Sequence, residues 1–158
     1  MSNQNLYNRG FVNNLTIRET SYYQSVACCR DGGTTMIKVK HLMDTLEADD
    51  GLRISVEPVG LTLDLIQWCR VDHVLTHLGP ARRLWDWFEA HPDGWDFFRG
   101  QYHEHLARGP YRPALQAMAQ AAMTENLTLL HTGDDPNHNT AAALHEYLVE
   151  LQAYTQPE

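Results

Sequence analysis

Five residues with site chemistry crowd into nine positions toward the C-terminal end of the chain: His131, Asp134, Asp135, His138 and Asn139. Histidine titrates near neutral pH and can take or give a proton, and a carboxylate beside it can orient the ring. In an enzyme, His138 or His131 would serve as general acid or base, held by Asp135 or Asp134. The same histidines and aspartates are ligand types suited to zinc or manganese, but closeness in sequence specifies no coordination geometry, and no metal centre is assigned. A structural role competes with both. Asp135 would cap a helix, His138 and Asn139 would bond the neighbouring loop, and the stretch would close the edge of a sheet.

The elements that must position these groups are legible on either side. Leu127, Thr128, Leu129 and Leu130 form a short apolar run ending at His131, of the length expected for a strand covered on both faces. Asp135 followed by Pro136 reads as a helix start, because Asp caps free backbone N–H groups and Pro at the first helical position gives up no needed donor. Ala141, Leu144, Leu148 and Leu151 then recur at spacings of three and four, an apolar stripe that can lie on a sheet. A strand entering a helix through a polar loop is half of a βαβ unit. Ligands of such sheets bind at the carboxyl ends of the strands, where all five polar residues would lie.

Upstream, residues 1–35 are polar and end in Asp31-Gly32-Gly33-Thr34-Thr35, a composition that buries little surface, so they are expected to be a loosely packed extension. Met36 to His41 and Leu52 to Val56 have strand character, the second opened by the turn signal Asp49-Asp50-Gly51 and ended by Pro58 and Gly60. Leu61 to Cys69 suits a short helix, and Val71 to Leu75 an extended segment. Gly79-Pro80 opens a helix with Leu84, Trp87 and Phe88 on one face, ended by His91-Pro92, and Pro92 is expected to start the next. There Trp95, Phe98, Tyr102 and Leu106 fall on one stripe, which reads as a core ridge before a ligand platform. After Gly109-Pro110, Leu115, Met118 and Ala122 mark a further helix.

Composition narrows the function classes. A chain of 158 residues with 43% apolar content can bury one proper core. Its formal charge of −8, without any Lys/Arg tract, argues against nucleic acid and anionic membrane as partners. No run approaches the roughly 18 apolar residues of a membrane span and the first residues lack a secretory pattern, so a soluble cytoplasmic protein is expected. Cys28, Cys29 and Cys69 form no ligand or disulfide framework and read as free thiols, and the sequons at Asn14 and Asn126 as accidental. The other histidines are scattered without a repeated ligand spacing. No nucleophile elbow, phosphate loop or dinucleotide fingerprint occurs.

Taken together, Trp87-Phe88, then Pro92, Trp95, Phe98, Arg99 and Tyr102, then Thr128-Leu129-Leu130, Asp135, His138-Asn139, Ala141, Leu144 and Tyr147-Leu148 resemble the YeaO-like branch of the domain of unknown function 488. With Ile37-Lys38 and Gly51-Leu52-Arg53, the similarity spans roughly residues 36 to 151. It implies a small cytoplasmic α/β protein whose activity is not established and implies no particular cofactor. The family's second strand runs into Asp-Arg-Leu-Trp-Pro-Arg-Gly, whereas this chain has Glu57-Pro58-Val59-Gly60, without either arginine. The family Ser after Ala-Pro is Ala81, its following Arg falls at Trp85, and its Tyr after the last strand is His131. Arg53, Arg82, Arg83 and Arg99 are the nearby substitutes.

The sequence thus predicts an α/β fold: one compact three-layer domain over residues 36–152, with a small, mostly parallel sheet flanked by helices, and a tail over 153–158. Its expected function is binding or turnover of a small anionic molecule by His131, Asp134, Asp135, His138, Asn139 and Arg53. The alternative is a non-catalytic interaction or regulatory module that has lost the family's arginine-lined site. The residue types leave the choice between enzyme and non-enzyme open.

Overall fold

Four strands, β1 (Ile37–His41), β2 (Leu52–Ser55), β3 (His73–Val74) and β4 (Leu127–His131), pair in the order β1-β4-β2-β3, and every pairing is parallel. The structure, a computed structural model, describes residues 36–155. The expected extension over residues 1–35 lies outside them, as do residues 156–158. β4 is buried at all five positions and lies inside the sheet, which explains its near-continuous apolar run. The stretch after it therefore leaves the middle of the sheet, and the expectation that it closes an edge is corrected. The edges are β1, half-buried along its length, and the two-residue β3.

Five helices complete the described domain: α1 (Leu63–Trp68), α2 (Arg82–Ala90), α3 (Trp95–Arg108), α4 (Arg112–Ala121) and α5 (Thr140–Thr155). On one face of the sheet Leu52, Ile54, Leu127 and Leu129 meet Phe98, Tyr102, Leu106, Leu115, Met118, Leu144 and Leu148 in the main core. Each of these last seven is at most 1% exposed, so the stripes of α3, α4 and α5 face inward as their spacing requires. α5 runs to Thr155, past the expected domain end near 152.

α3 begins at Trp95 and not at Pro92. His91 to Gly94 instead form a turn closed by the Gly94 amide on the His91 carbonyl, and the Gly94 carbonyl accepts the first helical bond from Phe98. Trp95 is accordingly only half-buried, at the rim, packed against Phe88 and Phe98. The expectation of a fully core Trp95 is corrected, whereas Phe98 is sealed.

The other face carries Leu42, Cys69, Val71 and Leu130 under α1 and the β1–β2 loop. Beside them lies an ionic network. Asp50, 1% exposed, holds Lys40 at 3.0 Å and the Arg53 guanidinium. Lys38 reaches Asp49 at 2.8 Å. Burial drives the Asp50 carboxyl upward, but bonds from Lys40, the Glu47 amide and Arg53 outweigh it and hold it below the ordinary range. Gly51 has φ +64, and a Cβ there would run into the Asn126 carbonyl that accepts the Leu52 amide at 3.1 Å. Asn126 also bonds the Asp49 carbonyl and the Met36 amide, so it joins the starts of three strands.

Candidate functional site

The helix after β4 starts at Thr140, and its cap is Asn139 in place of the expected Asp135. The Asn139 Oδ1 accepts from the Ala142 amide at 2.8 Å, and its carbonyl accepts from Ala143. Its Nδ2 donates to the Asp135 carbonyl at 2.9 Å, which pins the loop to the helix start. Asp135 caps a turn of its own: Oδ1 accepts from the amides of Asn137 at 2.8 Å and His138 at 3.2 Å. Pro136 lies within that turn, where its fixed φ suits a corner as well as a helix start. The Asn137 amide contributes most to holding the Asp135 carboxyl below its ordinary range, against some desolvation and with help from His138. His138 Nδ1 stands 3.0 Å from the other Asp135 oxygen, and its ring rests on Trp95 with centroids 5.0 Å apart. Both side chains are open to solvent, as is Asp134, which has no polar partner among the described residues.

At the carboxyl ends of β1 and β4, His41 and His131 are register partners, and their rings meet edge to face at 5.3 Å. His131 Nδ1 lies 3.0 Å from the Gly133 carbonyl, so that nitrogen carries the proton. His41 Nδ1 accepts from the Met43 amide. Burial lowers the His131 pKa more than the Gly133 bond raises it, with His41 lowering it further and Asp44 and Asp135 pulling the other way. A neutral imidazole at the end of a central strand is the outcome.

Glu57, just past β2, is the residue that sequence reasoning passed over as a site candidate. It is 3% exposed and sits where the carboxyl ends of β2 and β4 converge: the Thr132 amide donates to its Oε1 at 3.4 Å. Burial pushes its pKa up to about 7; the Thr132 amide and the Trp85 indole N–H bonded to it pull down, while Glu89 adds to the rise. Trp85 is also overlaid by the Arg82 guanidinium at 5.5 Å from its ring. The signal was present in Ser55-Val56-Glu57-Pro58, an acid directly after a buried strand.

Arg53 does not join these groups. It points to the opposite face of the sheet, 2% exposed, with its Nε on the Cys69 carbonyl at 3.1 Å and its guanidinium on Asp50. Arg82 is bound to Asp86, Arg99 to Asp96 and Glu146, and Arg83 is exposed. The structure brings Asp135, His138 and Asn139 together in one turn, with His131 beside them, and separates Arg53 from all four.

The Asp135–His138 pair has the spacing of an acid-oriented base, and both side chains are open to solvent. His131, Asp134, Asp135 and His138 do not gather into a metal-binding set among the described residues. Carboxylates that do gather, Glu47, Asp49 and Asp50, are held by Lys38, Lys40 and Arg53. No curated protein and no solved structure matches the chain. One family model matches over residues 36–158, that of the inactive DUF488-N3 subclade; the wider family is the one the motifs resemble, and the YeaO-like branch is not what the match describes. The chain belongs to the domain of unknown function 488 family, as a member of its inactive DUF488-N3 subclade.

Proposed function

We propose that this domain is a non-catalytic interaction module, built on a sheet whose ligand-binding edge its own side chains now occupy. One observation carries the reading: Asn139, Asp135 and Arg53, three of the polar groups that could form a site, are engaged in holding the fold, while Asp134 and His138 stand at the open surface. Asn139 caps α5, Asp135 caps the turn before it, and Arg53 is buried against Asp50 and the Cys69 carbonyl. Just past the end of β2, the buried Glu57 carboxyl and the Trp85 indole bond each other. The description of the matching subclade as inactive agrees with this.

Unfolding in urea tests the reading, because residues kept for function stabilise a fold little or strain it, whereas fold-holding residues cost stability when removed. Asn139→Ala is expected to lose about 1 kcal/mol as a lost cap. Arg53→Met is expected to lose about 3 kcal/mol, since it leaves the buried Asp50 charge with less compensation. Asp135→Ser, which keeps an acceptor, should stay within about 1 kcal/mol of the parent. If Asn139→Ala and Arg53→Met are as stable as the parent or more so, the groups are not there for the fold and the reading fails.

A further inference from the structure

Helix α1 has no buried side chain, although four of its six residues are large and apolar. Leu63 is 69% exposed, Trp68 is 81% exposed, and Leu65 is open as well. A helix this short does not persist by itself. It is held by Thr62, whose hydroxyl accepts from the Leu65 amide at 3.3 Å, and by Ile66, which packs toward Cys69 and Val71. The β1–β2 loop extends the apolar surface: Met43 is 60% exposed, its sulfur 3.9 Å from Cys69 Sγ, and Leu46 is exposed nearby in the chain. Met43 thus stands at the end of α1 that carries Trp68, and an open indole, leucine and methionine on and beside one short helix have the composition of a protein interface.

Charge selects the occupant. Asp64 lies one helical turn before Trp68 on the same face of α1, so a carboxylate and an indole stand together, a pairing that receives Lys or Arg by ion pair and cation–π contact. Asp44 adjoins Met43. Neither aspartate has a cation partner among the described residues, because Lys38 and Lys40 are turned onto Glu47, Asp49 and Asp50. Between residues 59 and 72 the charges are Asp64 and Asp72 against Arg70. With a formal net charge of −8, a second copy of this chain or an anionic membrane would meet like charge across the patch.

Resting on the interaction-module reading, we infer that the α1 surface, centred on Trp68 and Leu63 and flanked by Asp64 and Asp44, docks a basic amphipathic segment of a partner protein. Leucines of the segment would cover Leu63, Met43 and Leu46, and a Lys or Arg would sit over Trp68 beside Asp64.

The test uses the full chain and a labelled synthetic helical peptide of leucine and lysine, followed by fluorescence anisotropy, with a leucine and glutamate peptide as control. Saturable binding of the lysine peptide is expected, weakened about tenfold or more by Trp68→Ser and by Asp64→Asn, and unchanged by Glu150→Gln elsewhere on the surface. Because these side chains are exposed, the variants should keep the parent's circular dichroism. Equal binding of both peptides, or indifference to Trp68→Ser, overturns the proposal. So does a parent dimer in light scattering that Trp68→Ser dissociates, binding to phosphatidylserine vesicles that depends on Trp68, or peptide binding that appears only after residues 1–30 are deleted. The module reading fails differently, when a small molecule stabilises the parent through the strand-end residues.

Discussion

Glu57 is where residue chemistry says most about this protein. A carboxyl raised from 4.5 to about 7 holds its proton in the folded state at pH values where the unfolded chain has lost it. The stability it contributes is therefore fully present below pH 4.5 and is lost as pH rises through about 7. At about 1.4 kcal/mol per unit, the loss is on the order of 3 kcal/mol. Glu57→Gln should remove that slope: in urea unfolding at about pH 5 and about pH 8, the parent should fall relative to the variant by about 2 to 3 kcal/mol. Parallel behaviour of the two would show that the carboxyl is ionised in the fold throughout. At this scale the sequence reading placed a polar turn and a helix after the last strand but assigned the helix cap wrongly. Asp135-Pro136 carries a stronger start signal than Asn139, and only the path of the backbone shows that the chain makes a turn first. Arg53 was misplaced for a related reason. An alternating strand tells that successive residues face opposite ways, not which face holds the ligand.

At the scale of elements, hydrophobic spacing located all four strands and the helices, and the stripes of α3, α4 and α5 each have a core to face. Boundaries shifted where a turn competed with a helix, as at Pro92. The stripe of α3 separates accordingly. Phe98→Ala, at 0% exposure, is expected to cost about 3 to 5 kcal/mol, as truncation of a packed aromatic does. Trp95→Ala should cost less than about 2 kcal/mol, because the ring is only half-buried and part of its packing is against the exposed His138. Chemical denaturation of both variants decides it: equal costs would place Trp95 in the core after all. What spacing could not show was the second layer. Arg53 and Ser55 alternate with Leu52 and Ile54 as though open to water, yet all four are buried, and Arg53 is closed in by Asp50 of the β1–β2 loop and the Cys69 carbonyl after α1.

For the molecule as a whole, a parallel sheet with helices on one face and a short helix and loop on the other accounts for the α/β reading and adds that every strand pairing is parallel. Among the described residues no helix is long and apolar enough to cross a membrane. Fold class was accessible because it follows from periodicity and length. The condition of the strand ends was less so, because whether a carboxylate and an indole far apart in sequence bond each other depends on tertiary approach. The most direct measurement is the melting temperature of the full chain in the presence of divalent metals, inorganic phosphate, nucleotides and small carboxylates, since a ligand that binds only the folded state must raise it. With Glu57, Trp85, Asp135 and Asn139 engaged in the fold, none of these should shift the parent. A compound that raises its melting temperature by several degrees, with the shift abolished in Glu57→Gln or His138→Gln, would show a working site at the strand ends.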